Sequence, residues 1–234
     1  MLAWIEAKDP FPPVERALKN PNGLLAAGGE LSTERLLEAY RRGVFPWYSG
    51  AEPVLWWSPD PRMVLYCDEL KVSRSLGKSV RNKGYEVRVD SAFAAVLAGC
   101  SNRPHGTWLG AQMKKAYLRL HREGYAHSFE TWRGHDLVGG LYGVAIGRMF
   151  YGESMFSKAS DASKVALVAL AAELRARGFP LIDCQVHTPL LASLGAREIP
   201  RKAFLRALAT LVNYAEPPGK WSPGTSMSSY DVKT

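Results

Sequence analysis

Two short strands with polar residues in them, separated by one helix, set the frame for this chain. Tyr151-Gly152-Glu153-Ser154-Met155-Phe156-Ser157 and Leu181-Ile182-Asp183-Cys184-Gln185 each read as a strand carrying acids or amides where a core strand would hold Val or Leu. Between them, Ser163 to Arg177 reads as a helix. A strand, a helix and a returning strand make a crossover that lays the two strands parallel in one sheet. Side chains alternate along a strand, so the pattern predicts Glu153 and Met155 on one face, and Asp183 and Gln185 on one face. Glu153, Asp183 and Gln185 would then converge at the carboxyl ends of neighbouring strands, beside apolar Met155 and Phe156. Any one of them could face solvent on an ordinary strand. Three in a paired arrangement, flanked by Ile182 and Cys184, point to an active site.

The rest of the chain narrows the chemistry. A length of 234 residues allows one large domain with a small accessory one. The longest apolar run, Val165 to Ala172, is too short to span a bilayer, and Asp9, Pro10, Pro12 and Pro13 interrupt any signal-peptide core. Cys67, Cys100 and Cys184 are too widely spaced for a disulfide framework or a metal site, and the five histidines show no ligand spacing. These features lead us to expect a reduced, cytoplasmic protein without metal. Charge is uneven: residues 1–70 hold seven Lys and Arg against ten Asp and Glu, and the remainder is strongly basic. Lys71, Arg74, Lys78, Arg81, Lys83 and Arg88 lie close together with one acid, Glu86, among them. So concentrated a patch favours a polyanionic partner over simple solubility.

Along the chain, residues 1–61 read as a small loop-rich N-terminal domain, 62–216 as the catalytic domain and 217–234 as a poorly ordered tail. Ser32 is placed to cap a helix running to Arg42, which Gly43 ends. Trp47, Trp56 and Trp57 are too broken by Pro for one regular element. Trp56 and Trp57 suit a core. Trp47, next to Pro46 and a polar turn, reads either as core or as a platform for a base. Strands are expected at Arg62–Tyr66 and Tyr85–Asp90, a helix from Ser73, a helix capped by Ser91, and another from Ala111 to Glu123. An antiparallel meander is expected over His127–Arg133, Leu137–Ala145 and Met149–Phe156. A last helix is expected from Arg201.

Helices, a three-strand meander, a crossover helix, a strand and a helix are the order of an α+β, N-acetyltransferase-like (GNAT) sheet. Such a fold does not give the reaction. A CoA-dependent enzyme needs a Gly-rich turn to hold pyrophosphate at the crossover helix. Here Ser157-Lys158-Ala159-Ser160-Asp161-Ala162 has no Gly, which argues against a CoA donor.

Several stretches, in this order, resemble one family. Gly23-Leu24-Leu25-Ala26, Val44-Phe45-Pro46-Trp47, Trp56-Trp57-Ser58-Pro59-Asp60-Pro61-Arg62, Gly106-Thr107-Trp108, Gly152-Glu153-Ser154-Met155-Phe156-Ser157, Asp183-Cys184-Gln185 and Ser193-Leu194-Gly195-Ala196 look like the bacterial leucyl/phenylalanyl-tRNA–protein transferases. The resemblance implies transfer of Leu or Phe, with Met a further candidate, from aminoacyl-tRNA to the α-amino group of proteins beginning with Arg or Lys, marking them for degradation. The donor ester is already activated, so the resemblance implies no cofactor: no ATP, CoA or metal. It implies that Trp47 and Trp108 flank the 3′-terminal adenosine and that Glu153 holds the free α-ammonium. Asp183 and Gln185 would sit at the reacting ester, and the transferred side chain would enter a pocket of Leu141, Met155, Leu170, Leu174 and Ile182. Arg74, Lys78, Arg81 and Lys83 would meet the tRNA body. Asp183 could act as a base if burial raises its pKa, or polarise the attacking amine through Gln185. Two readings of other classes stand beside this one: an RNA-binding protein without chemistry, which leaves the three polar residues unexplained, and a GNAT-type enzyme with another donor.

Overall fold

The structure, a computed structural model, describes residues 2–50, 52–102, 106–215 and 219–221. The opening segment builds β1 (Ala3–Ile5), β2 (Leu24–Gly28), α1 (Thr33–Arg41), β3 (Phe45–Pro46) and β4 (Leu55–Trp57). The Ser32 hydroxyl starts α1 by accepting the backbone N–H of Arg35 at 3.3 Å, and α1 turns Leu36, Leu37 and Tyr40 inward. The four strands form a sheet in the order β1-β2-β4-β3.

The remainder runs β5 (Arg62–Tyr66), α2 (Arg74–Asn82), β6 (Glu86–Val89), α3 (Phe93–Ser101), α4 (Ala111–Arg122), β7 (Ala126–Arg133), β8 (Asp136–Ile146) and β9 (Met149–Ser157). It continues with α5 (Ala162–Ala176), β10 (Leu181–Gln185), α6 (Pro189–Ser193), β11 (Arg197–Ile199) and α7 (Arg201–Leu211). Its seven strands make a second sheet in the order β11-β5-β10-β9-β8-β7-β6, so the protein is α+β. The meander β7-β8-β9 turns at Gly134 and Gly147, both with positive φ; at Gly147 a Cβ would lie 2.3 Å from the Leu211 carbonyl oxygen. α5 carries the chain from β9 to β10, and these two strands pair in parallel, from Leu181 with Met149 to Asp183 with Tyr151. Beyond Asp183 the pairing stops, while β9 runs on to Ser157 against β8.

α5 lies against one face of this sheet with an almost wholly buried apolar surface. The approach is close: a Cβ on Gly139 would fall 2.5 Å from that of Ala162, which excludes any side chain there. The other face carries α3, α4 and α1. Here Val64, Val96, Tyr117, Tyr142 and Val144 belong to one continuous cluster with Ile5, Leu25 and Trp56 of the small sheet. The two sheets therefore share a core.

Three local expectations are corrected. Ser91 does not cap α3, which begins after Ala92. Instead the Glu130 carboxylate on β7 accepts the backbone N–H groups of Ser91 and Ala92, each at 3.1 Å, and the Ser91 hydroxyl donates to it at 2.6 Å. A carboxylate reaching in from the sheet is the stronger acceptor at a helix N-terminus. Of the tail, residues 219–221 are described and Trp221 is packed rather than loose; Glu216–Pro218 and residues 222–234 lie outside the described residues. Trp221 stacks 4.0 Å from His127, its backbone N–H donates to Asp90, and the Arg177 guanidinium covers its ring at 4.6 Å. Third, simple alternation fails at both site strands. Glu153 is an extra residue in β9 opposite Tyr142 and Gly143, and Cys184 is an extra residue in β10 opposite Met63 and Val64. Such bulges re-aim side chains next to active sites. Asp183 and Gln185 consequently do not share a face.

Candidate active site

The separation of β9 and β10 past the Tyr151–Asp183 pair opens a cavity of about 390 Å³. Trp47, Trp108, Leu141, Glu153, Met155, Leu170, Ile182 and Gln185 all line it. Trp47 follows β3 and is 41% exposed; the Trp57 indole below it donates to the Trp47 carbonyl at 2.6 Å. Trp56 is fully buried, edge-on to Phe11. Trp108 precedes α4 and is half-buried. Leu141 from β8 and Met155 from β9 are direct cross-strand partners, and Leu170 reaches in from α5. One expected pocket residue is absent from the lining: Leu174, a turn further along α5, is buried in the core behind it.

Among the described residues Glu153 is the one carboxylate of the lining. Its Oε1 accepts from the Tyr40 hydroxyl at 2.7 Å and from the Gln185 side-chain amide at 2.9 Å, and its Oε2 accepts from the Tyr117 hydroxyl at 2.6 Å. Burial pushes the carboxyl up to about 7, against the pull of the Tyr117 and Tyr40 hydrogen bonds. The side chain keeps some surface, but that surface faces a mostly apolar cavity rather than bulk water, so burial governs. Burial also holds the phenols of Tyr40, Tyr117 and Tyr142 far above their usual value, and those of Tyr40 and Tyr117 remain donors. The Cys184 thiol is raised by burial as well, which leaves it inert as a nucleophile.

Asp183 lies elsewhere. It has no solvent exposure and does not line the cavity. Its Oδ1 accepts from Arg62 Nε at 2.8 Å and its Oδ2 from Arg62 Nη2 at 2.6 Å. The same guanidinium donates to the Gly43 carbonyl at 3.0 Å and sits between the rings of Phe45 and Phe204. Asp183 Oδ1 also accepts the backbone N–H of Gln185 at 2.9 Å. Gln185 takes a left-handed φ of 64°, a conformation costly outside Gly and found where a site over-determines it. That bond and that backbone turn bring the Gln185 amide onto Glu153. The expected position of Asp183 at the open site is thus replaced by one directly behind Gln185.

Arg74, Lys78 and Arg81 project from the exposed face of α2, whose Leu76 and Val80 pack inward, and they make no hydrogen bond or ion pair among the described residues. Lys83 differs: its ammonium lies 3.3 Å from the Ser160 carbonyl and 3.9 Å from Asp161. Among the described residues no cluster of His, Cys, Asp and Glu could hold a metal, and no helix is long and apolar enough to cross a membrane.

Sequence reasoning missed Tyr40, Tyr117 and Arg62. The sequence offers Tyr40 only as one residue of the helix that Ser32 caps, and its partner is 113 positions away. Arg62 gives one signal, a charge at the head of a strand that continues with Met, Val, Leu and Tyr.

Comparison with known proteins bears on this geometry. Residues 64–209 match the family model of the leucyl/phenylalanyl-tRNA protein transferase, and residues 29–60 match that of its N-terminal domain. A leucyl/phenylalanyl-tRNA–protein transferase of Thiobacillus denitrificans is 63% identical over 91% of this chain and 94% of its own length. One of Chromobacterium violaceum is 57% identical over 94% of this chain and 96% of its own. Among solved structures, a protein of Staphylococcus epidermidis described as functionally unknown aligns at a TM-score of 0.42 and 10% identity over 76% of this chain and 68% of its own, a likeness that carries no argument. With both parts of the family matched and identity this high over nearly all of the sequence, the chain belongs to the leucyl/phenylalanyl-tRNA–protein transferases.

Proposed function

We propose that this aminoacyltransferase moves Leu or Phe from its tRNA to the α-amino group of proteins beginning with Arg or Lys, in the cytoplasm, and so marks them for degradation. The observation that carries the reading is a lone carboxylate, Glu153, held by three donors at the edge of an otherwise apolar cavity. An aminoacyl ester presents both complements, an ammonium and an apolar side chain. In this reading the ammonium pairs with Glu153 and the side chain fills the end bounded by Leu141, Met155, Leu170 and Ile182, with Leu174 as a second layer. Trp47 and Trp108 take the terminal adenosine, where stacking contributes about 1–3 kcal/mol per base. Arg74, Lys78 and Arg81 meet the phosphates of the tRNA body, and Lys83 adds charge from a fixed position.

The chemistry needs no activation beyond the ester itself. The attacking α-amine has a pKa of about 8, so a minority is already neutral near pH 7. It attacks the ester carbonyl, the ester C–O bond breaks, and the 3′-oxygen of the adenosine leaves as a hydroxyl, gaining a proton as the nitrogen gives one up. Gln185, with one amide hydrogen on Glu153, is placed to orient the amine or to donate to the developing oxyanion. Asp183 serves by holding the Gln185 backbone, itself neutralised by Arg62, rather than by taking the proton. The larger sheet is read as GNAT-like, supported by the parallel pair that separates at the cavity, and the boundary near residue 61 by the change of sheet there.

The deciding experiment mixes the enzyme with radiolabelled leucyl-tRNA and an Arg-starting peptide, without added metal or nucleotide. Labelled peptide is expected. Charged tRNA bound without labelled peptide would leave a binding protein.

A further inference from the structure

Glu153, Tyr40 and Tyr117 form a closed ring of three side chains that meet through four oxygen atoms. Glu153 Oε1 is 2.7 Å from Tyr40 Oη, Tyr40 Oη is 3.1 Å from Tyr117 Oη, and Tyr117 Oη is 2.6 Å from Glu153 Oε2. Each edge is a hydrogen-bond distance, and each such bond needs one proton. The phenols bring one proton apiece, and their burial keeps them un-ionised. With an ionised carboxylate, two protons serve three edges, and the Tyr40 and Tyr117 oxygens face each other unbridged. One more proton, on the carboxyl, closes the ring head to tail.

Among the described residues no positive charge pairs with Glu153 to favour the ionised form. Besides Tyr40 on α1 and Tyr117 on α4, the ring is faced by the buried phenol of Tyr142 on β8 and by Gln185 and Asp183 on β10. Asp183 is negative and is matched by Arg62 on β5.

We propose that the empty enzyme keeps Glu153 as a neutral carboxylic acid closed into a ring by Tyr40 and Tyr117, and that the α-ammonium of the donor binds by displacing that proton to solvent. The proposal rests on the reading of the cavity as the aminoacyl site. The balance is simple: ammonium plus carboxylic acid gives an ammonium–carboxylate pair and one released proton. A neutral amine reaches the same pair by taking the carboxyl proton itself. An N-acylated donor has neither an ammonium nor a basic nitrogen, and it meets a ring already satisfied. Tyr40 and Tyr117 are thus positioning residues that set donor selectivity through Glu153.

The ring is tested first without any donor. Infrared difference titration of the empty enzyme should show one protonated-carboxyl band at about pH 6 that vanishes as pH rises through neutrality and is missing from Glu153→Gln. In Tyr40→Phe/Tyr117→Phe the ionised form loses both phenol donors, so the band should persist to higher pH. Tyr142→Phe alters a buried phenol without a hydrogen-bond partner among the described residues and should leave the midpoint in place. No Glu153 band at that pH, or a midpoint indifferent to the two ring phenols, overturns the proposal. Calorimetry then uses leucyl-adenosine joined by an amide, which cannot be transferred, in two buffers of different ionisation heat. About one proton should be released per molecule bound at about pH 6, and none from Glu153→Gln. Binding without release overturns the displacement. A ring that titrates as stated beside a mimic that fails to bind overturns the displacement and the aminoacyl reading of the cavity together, while the ring itself stands. With real donors, either single Phe variant should narrow the preference for free over N-acetylated leucyl-tRNA about tenfold, the worth of one charge-assisted hydrogen bond.

Discussion

Arg62 donates two hydrogen bonds to Asp183 without solvent contact, and the aspartate also accepts the Gln185 N–H. A buried pair of this kind is poor evidence of net stabilisation, because both charges have lost their water. Removing one partner is another matter, since the survivor is left bare at a cost of about 3–5 kcal/mol. Asp183→Asn and Arg62→Met should each lower stability by roughly that amount in denaturant titrations. Arg62→Met/Asp183→Leu replaces the pair with apolar side chains and should recover much of the loss. It should not recover transfer, because Gln185 still lacks the acceptor that holds its left-handed backbone. Stability and single-turnover rate measured on the same preparations separate these effects. A double variant both stable and fully active would show that the pair has no part in placing Gln185.

At the scale of elements, α2 offers the sharpest contrast. Its Arg74, Lys78 and Arg81 make no hydrogen bond or ion pair among the described residues, whereas Lys83 beyond its end is tied to the turn before α5. Replacing the first three with Gln should raise KM for charged tRNA and flatten its salt dependence by up to three phosphate contacts. An aminoacylated adenosine, too short to reach α2, should react as before. Lys83→Gln alone should do much less. If the short donor suffers as much as the full tRNA, α2 is not a tRNA contact. Elements of this kind were legible in the sequence because their signals are local: Ser32 caps α1, glycines turn the meander, and an apolar helix between two strands forces them parallel. The gathering of Trp47, Trp108, Met155 and Ile182 around one cavity was legible through the family resemblance, which carries their motifs over, rather than through any local signal. What resisted reading was set by contacts distant in sequence. The extra residue Cys184 breaks alternation with no Gly or Pro beside it, and Gly152, next to the extra residue Glu153, is a signal that the reading by alternation passed over. Asp183 finds Arg62, and Glu153 finds Tyr40 and Tyr117, only once the sheet exists.

For the whole molecule, the buried acids tilt stability toward low pH. Glu153 moves from 4.5 to about 7 on folding, chiefly through burial. A raised carboxyl contributes fully below its unfolded value and loses that contribution as pH climbs through its folded one, on the order of 3 kcal/mol here. Glu130, raised by burial, acts in the same direction; Asp161, lowered by Ser79 and Lys164, acts the other way and at lower pH. The melting temperature of the empty enzyme should therefore fall between about pH 5 and pH 8, with a shallower slope in Glu153→Gln. Equal slopes would mean that Glu153 folds with an ordinary carboxyl.

The core shared by the two sheets, together with the Tyr40–Glu153 bond that spans them, bears on how the chain could be divided. A fragment starting at β5 would keep the larger sheet, both bulges and Gln185, yet lack the phenol that completes the acid's surroundings. The small sheet alone would expose Leu25, Leu36 and Trp56. Neither half would survive as an independent tool, but each would offer the other an apolar face and a missing hydroxyl. Cut between β4 and β5 and fused to two proteins that meet, the halves would make a split reporter whose signal is the labelling of a peptide.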